Sequence, residues 1–201
     1  MIPSPCNITI AIICGGTVRA ETLVSLIGAM EVIKGHGIGA SLSVQIGGYA
    51  AANRNRAVEA AQRNGSDYLM FIDNDMIFPP SGIQRLLDAD KDIIGVHYNA
   101  RPAPDKPVVS TVKMADPNGQ LLNAMEIPAQ LFKCYAVGTG FMLIRMSVFD
   151  KLSKPYFVSG EDASGECFTE DVDFCRKAGE AGVKIYCNPT IAMRHIGNKE
   201  Y

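Results

Sequence analysis

The chain has 201 residues with 19 Lys and Arg against 21 Asp and Glu, a formal net charge of −2, so it lacks the basic surplus with which a general nucleic-acid binder displaces counterions. Apolar residues make up 47% and charged residues 20%, which excludes a disordered or low-complexity chain and fits one compact domain over residues 1–201. No stretch approaches the ~20 apolar residues of a membrane span, and Met1–Asn7 carries two prolines and no basic residue, unlike a secretory signal; a cytoplasmic protein without an integral membrane segment is expected.

Ile8–Cys14 reads as a buried strand and Cys14-Gly15-Gly16-Thr17 as the turn leaving it. A helix is expected over Ala20–Lys34, closed by Gly35 and Gly37, and then a strand over Ser41–Ile46. Gly47-Gly48 separates that strand from a helix over Ala50–Arg63, which stops at Asn64-Gly65. Tyr68–Ile72 is apolar throughout, as in a parallel strand covered on both faces. The order β-α-β-α-β predicts an α/β fold with a mainly parallel sheet, flanking helices and right-handed crossovers. Pro79-Pro80 opens a short helix to about Ala89, followed by a strand over Ile93–His97.

From Arg101 the pattern changes. Pro102, Pro104 and Pro107 introduce β-rich stretches at Val108–Met114, Gln120–Ile127 and Phe132–Ile144, read as a small antiparallel or mixed annex. Ser159–Gly165 is polar and glycine-flanked, the composition of a surface lid. A helix over Thr169–Ala181 ends at Gly182, and Val183–Cys187 is the last strand before a tail carrying His195. Six cysteines are scattered without a C-x-x-C pair, which reads as reduced, largely buried thiols.

Asp73-Asn74-Asp75 follows directly on the apolar strand, so both carboxylates emerge at its carboxyl end, where open α/β sheets bind ligands. Two carboxylates at this spacing can face one Mg²⁺ or Mn²⁺ whose shell is completed by phosphate oxygens; the alternative is an acidic turn without a ligand. Glu170, Asp171 and Asp173 open a helix, where the macrodipole favours acids with or without chemistry. His195 is either an ordinary histidine or an imidazole ligand suited to Mn²⁺. Gly138-Thr139-Gly140 is either a tight packing turn or a place where backbone approaches a ligand.

The order of Ala52-Asn53-Arg54-Asn55-Arg56, Leu69 to Asp75, Val137 to Arg145, Glu170 to Cys175 and Ile191 to Gly197 resembles GT-A-fold glycosyltransferases. The similarity is to a short, family-2-like group of bacteria, phages and large viruses, and it spans about Ile8 to Gly197. The resemblance implies a GT-A (nucleotide-diphospho-sugar transferase) fold, with residues 1–100 as a nucleotide-sugar-binding half and 101–201 as an acceptor and catalytic half. It implies a divalent metal, Mn²⁺ or Mg²⁺, held by Asp73, Asp75 and His195, with Asp73 also touching the donor. Asp171 falls at the position that deprotonates the acceptor hydroxyl in inverting members. Arg54 and Asn55 fall on the helix facing the donor, Thr17 and Arg19 where the nucleotide is gripped, and Gly138, Thr139 and Gly140 beside the sugar. Cys14-Gly15-Gly16 departs from the family's Pro-Thr-like turn.

The implied reaction moves a sugar from a nucleoside diphosphate sugar, UDP-linked first and GDP-linked second, to a hydroxyl of a glycan or glycoconjugate. Three alternatives use related parts. A haloacid-dehalogenase-like phosphatase would take Asp73 as nucleophile but expects its D-x-D on the first strand. A sugar nucleotidyltransferase expects a richer glycine, Arg and Lys loop after that strand than Cys14-Gly15-Gly16-Thr17-Val18-Arg19. A non-catalytic sugar-binding module needs neither Asp171 nor His195.

Overall fold

The computed structural model describes residues 6–99, 110–115, 121–124, 126–161, 165 and 167–196. Arg101–Val109 at the expected start of the annex, Gln120 and Met125 in its second stretch, Asp162–Ser164 of the expected lid and Gly197 lie outside the described residues.

The first half alternates β1 (Asn7–Cys14), α1 (Ala20–Gly35), β2 (Gly39–Ile46), α2 (Ala50–Arg63), β3 (Tyr68–Asp73), the short β4 (Met76–Ile77), α3 (Gly82–Asp88) and β5 (Ile93–Gly95). The second half brings β6 (Lys113–Ala115), β7 (Leu121–Asn123), β8 (Phe132–Cys134), β9 (Phe141–Arg145), β10 (Gly160–Glu161), β11 (Cys167–Phe168), α4 (Glu170–Glu180), β12 (Ile185–Cys187) and β13 (Arg194–His195). Turn chemistry marks the boundaries read from the sequence: α1 gives way to Gly37 at φ +74° and α2 to Gly65 at φ +62°, left-handed positions that glycine takes without a Cβ clash.

One seven-stranded sheet in the order β2-β1-β3-β9-β5-β12-β8 organises the molecule. β1 runs parallel to β2 and β3, and β12 runs parallel to β5. β9 is antiparallel to both β3 and β5, and β8 is antiparallel to β12. The stretch read as continuous from Phe132 to Ile144 is therefore two strands that part company. Gly138-Thr139-Gly140 turns the chain between them, and the wholly apolar Phe141–Ile144 is buried in the middle of the sheet rather than in an annex. Lying between β3 and β5, it interleaves the two halves of the sequence. The separate antiparallel sheets are the β6–β7 pair, the β10–β11 pair and β4 with β13.

Strand alternation sorts the core into two layers, because successive side chains point to opposite faces. Ala11, Leu69, Phe71, Met142 and Ile144 meet Ala57, Val58 and Ala61 of α2 and Phe174, Cys175 and Ala178 of α4. Ile8, Ile10, Ile12, Met70, Ile72 and Leu143 face Leu26, Ala29 and Ile33 of α1 and Ile83, Leu86 and Leu87 of α3. All six cysteines are free and five are buried; burial pushes the Cys134 and Cys187 thiols up to about 12, which keeps them protonated and unreactive. Among the described residues no helix is long and apolar enough to cross a membrane.

The expected lid begins and ends as structure. Gly160–Glu161 pairs antiparallel with Cys167–Phe168, and Ser159 Oγ donates to Glu170 Oε2 at 3.2 Å, which ties the residue before β10 to the start of α4.

Candidate active site

β1 and β3 are neighbouring parallel strands, and their carboxyl ends open into a crevice of about 390 Å³ lined by Cys14, Gly15, Gly47, Gly48, Asn53, Arg54, Asp73, Asp75, Glu170 and His195 among others. Backbone groups and short side chains form its floor, and charge comes from α2, the end of β3, the start of α4 and the C-terminal strand.

Arg54 is the centre of one half of the site. It is 4% exposed, and α2 carries it over the end of β3, 5.4 Å above the Phe71 ring. Its Nη2 donates to Asp73 Oδ1 at 3.1 Å and its Nε to Glu170 Oε1 at 3.1 Å. Burial pulls the guanidinium pKa down, but the two carboxylates outweigh it and the net shift is upward, so the group stays charged. Its Nη1 is buried without a hydrogen-bond partner among the described residues; an unmet charged donor of this kind is costly unless something arrives to accept from it.

Asp75 and His195 form the other half. β4 pairs with β13 so that His195 stands opposite Met76, and Ile196 N donates to Asp75 O at 2.8 Å. This brings His195 Nε2 to 3.3 Å from Asp75 Oδ1, while Nδ1 lies 3.2 Å from Asn99 O. Asp75 is buried to 4% exposure. Of the three residues expected to share a metal, two are thus adjacent, whereas Asp73 is engaged by Arg54. Among the described residues no set of three His, Cys, Asp or Glu side chains is gathered as a ready metal cage.

Asn74, the middle residue of the motif, has no role in the sequence reading, and it holds the turn after β1 in place. Its Nδ2 donates to Thr17 O at 2.6 Å, and its own carbonyl accepts from Arg19 N at 2.9 Å and Thr22 Oγ1 at 3.2 Å. Thr17 and Arg19 accordingly sit beside the crevice with exposed side chains. Glu170, read from sequence only as an acid at the start of a helix, is the second carboxylate of the buried Arg54, a role that no local pattern marks because it depends on how α2 packs against α4. Asp171 does not line the crevice. It is largely buried at the N-terminus of α4, with Oδ1 accepting from Thr169 Oγ1 and from Val172 N, and burial raises its carboxyl pKa above the ordinary value, the Thr169 hydroxyl pulling the other way. Asp173, the third acid of this turn, is paired with Lys177 and Arg176 at 2.6 and 2.8 Å and serves the helix.

Two expected site segments do not line the crevice. Asn55 turns away from the crevice: its Nδ2 donates to Ala51 O at 2.9 Å and Phe157 O at 2.8 Å, and its Oδ1 accepts from Tyr156 N at 2.9 Å and Phe157 N at 3.2 Å. That amide is fully used in fastening the 156–157 backbone to α2. Gly138, Thr139 and Gly140 are buried outside the crevice, and the space a ligand would need is filled by Tyr98. A Cβ on Gly138 would stand 2.5 Å from the Tyr98 hydroxyl, and one on Gly140 would run into the same hydroxyl and approach Asp73 Oδ2 to 3.0 Å. Tyr98 accepts from Gly140 N at 2.8 Å, and Gly140 O accepts from Asp73 N at 3.0 Å. The turn thus shapes the site from behind. Burial, reinforced by Asp73 and Asp171, raises the Tyr98 pKa, so its phenol remains protonated.

A seven-stranded, mainly parallel sheet with helices on both faces, an antiparallel strand inserted beside the D-x-D strand and a crevice at the parallel carboxyl ends define the GT-A fold. Solved structures share it. A197 from STIV is 18% identical, with a TM-score of 0.64 over 95% of this chain and 86% of that one. A mutant of Drosophila β-1,4-galactosyltransferase 7, in complex with manganese, UDP-Gal and xylobiose, is 13% identical, with a TM-score of 0.51 over 96% of this chain and 71% of that one. No protein-family model and no curated protein sequence matches the chain.

Proposed function

We propose that this chain, as one catalytic domain, transfers a sugar from a nucleoside diphosphate sugar to a hydroxyl of a glycan or glycoconjugate, with a UDP-sugar as first-choice donor and a GDP-sugar second. The observation that carries this reading is the crevice itself: a buried arginine with an unmet N–H on one side and an Asp75–His195 pair on the other. That combination suits a diphosphate, whose oxygens accept from Arg54. The galactosyltransferase that shares the fold is described with manganese and UDP-Gal, which supports the same ligand class here.

The donor set fits a divalent cation. One carboxylate oxygen and one imidazole nitrogen, 3.3 Å apart, favour Mn²⁺ over Mg²⁺, which prefers oxygen alone. When bound, such an ion neutralises charge on a departing nucleoside diphosphate. The protein's own residues do the rest. Arg54 donates to the phosphates and keeps Asp73 oriented toward the donor. Asn74 fixes the Thr17–Arg19 turn against which the nucleoside lies. Asp171, outside the crevice lining but next to its Glu170, takes the proton of an acceptor that extends past the crevice: both hydrogen bonds it receives fall on Oδ1, and its raised pKa strengthens it as a base at neutral pH. Glu170 orients Arg54.

The phosphatase alternative loses support from the same geometry, since Asp73 Oδ1 is already engaged by Arg54 and attack from it would break a partly buried ion pair. The test is calorimetric titration of UDP and GDP with and without Mn²⁺. Mn²⁺-dependent UDP binding that disappears in Asp75→Ala and His195→Ala is expected; nucleotide binding indifferent to both the ion and these two side chains refutes the reading.

A further inference from the structure

The opposite border of the sheet from β8 is β2, and it is unlike an ordinary edge. Its sequence, GASLSVQI, contains no charge and no proline, the usual devices that keep exposed edges from pairing. Gly39 N donates to Cys6 O at 2.9 Å and Gly47 N to Cys14 O at 3.2 Å, which sets the phase of the parallel ladder: residues 39, 41, 43, 45 and 47 turn their backbone toward β1. Ala40, Leu42, Val44 and Ile46 turn theirs outward. Of these groups the Ile46 carbonyl accepts from Arg56 at 3.3 Å.

The same residues carry the apolar side chains. Leu42 and Val44 stand opposite Ile10 and Ile12 in β1, which face the α1 and α3 layer, so Leu42, Val44 and Ile46 lie on that face, 49%, 47% and 63% exposed. They are uncovered because α1 leans toward the sheet centre: a Cβ on Gly28 would meet Pro80 Cγ, just ahead of α3, at 3.2 Å. At ~100° per residue, Leu23 and Ile27 lie on the other flank of the helix, above β2, and both are exposed, with Val24 on the crest. The six side chains present on the order of 500 Å², within the upper range for the largest apolar patch of a monomer.

We propose that β2 and the outer flank of α1 form the interface of a symmetric dimer, in which two copies of this chain pair their β2 strands antiparallel into one continuous sheet. A two-fold axis near Ser43 sets Leu42 of one copy opposite Val44 of the other and Ala40 opposite Ile46. Outward-turned backbone then meets outward-turned backbone. All the apolar β2 side chains fall on one face, walled by Leu23 and Ile27 of each α1. The contact is isologous, so one patch completes itself. Side chains and edge backbone together approach the ~800 Å² per partner of a stable pair. β2 brings no charge to repel its copy. The crevice lies at the strand ends, so this interface is independent of the nucleotide-sugar reading.

The test measures mass and amide exchange of the full chain from low to high micromolar concentration. Light scattering should show a monomer–dimer equilibrium. Hydrogen exchange at Leu42 and Val44 should slow as concentration rises, while Ser41 and Ser43, already bonded to β1, stay constant. Val44→Lys should weaken association by about tenfold or more, because it sets a charge in the apolar strip, with UDP binding unchanged; if that variant does not fold, Ile27→Glu on the exposed flank of α1 serves instead. A chain that stays monomeric throughout overturns the proposal. So does a dimer whose Leu42 and Val44 exchange ignores concentration, and so does a monomer that sediments with phosphatidylcholine vesicles, which gives the face to lipid.

Discussion

Arg54 donates to Asp73 across 3.1 Å, and this bond ties the middle of α2 to the carboxyl end of β3. Because Glu170 holds the same guanidinium from α4, one side chain spans three elements. Arg54→Leu leaves two facing carboxylates without their cation, and unpairing a buried charge costs about 3 kcal/mol. Urea unfolding should register a loss of that size. Arg54→Lys restores the charge but not the fork that reaches both acids, so it should recover most of the stability while UDP binding stays at least about tenfold weaker. Full recovery of binding by lysine contradicts a directional role for the guanidinium.

Asp171 gives a pH dependence with a definite sign. Burial raises its pKa above the ordinary value of 3.8, so the folded chain holds this proton more tightly than the unfolded chain. Stability from this group is therefore present in acid and is lost as pH rises from the ordinary value through the raised one. Activity runs the other way, since the base must be ionised. kcat/KM for sugar transfer should climb through the raised pKa to a plateau. Asp171→Asn should lower kcat by ~10²–10⁴-fold, leave UDP binding unchanged and be no less stable than the parent at neutral pH. Unaltered kcat in that variant transfers the role to another group.

The strands and helices of the first half were legible because their signals are local: apolar runs, period and glycine stops. β9 was not. An apolar strand carries no mark of which neighbours it will separate, and Phe141–Ile144 is buried between β3 and β5 through contacts far apart in the chain. At the site, Asp73, Asp75, Arg54 and His195 were readable as types in order. Their pairing was not, because whether Asp73 faces a cation or Arg54 depends on how α2 packs. Asn55 and the glycines of 138–140 fall outside the crevice for two different reasons: the residue next to a site residue is a 100° turn away on a helix, and a glycine near a site can make room for protein as well as for ligand.

Asn55 illustrates that reading. Its amide makes four hydrogen bonds, three of them to the Tyr156–Phe157 backbone. Asn55→Ala strands the Phe157 N–H and carbonyl and should cost about 2–3 kcal/mol, with Asn55→Asp also impaired because a carboxylate cannot donate to Phe157 O. Thermal unfolding measures the loss, and UDP titration of the folded fraction should match the parent. A binding defect without a stability defect returns Asn55 to the donor site.

Gly138 and Gly140 are set by Tyr98, whose hydroxyl occupies the space a Cβ needs at both positions. Gly140→Ala forces that hydroxyl aside, breaks its bond from Gly140 N and presses on Asp73 Oδ2, so a loss of about 1–3 kcal/mol from overpacking is expected. Removing the hydroxyl should relieve part of it. In a double-mutant cycle, Tyr98→Phe combined with Gly140→Ala should be more stable than the sum of the single losses implies, though the ring carbon Cζ, 2.9 Å from the added Cβ, keeps the rescue incomplete. Additive losses show that the clash lies elsewhere. A Gly140→Ala variant with parental stability but lost sugar transfer shows instead that the turn meets the substrate directly.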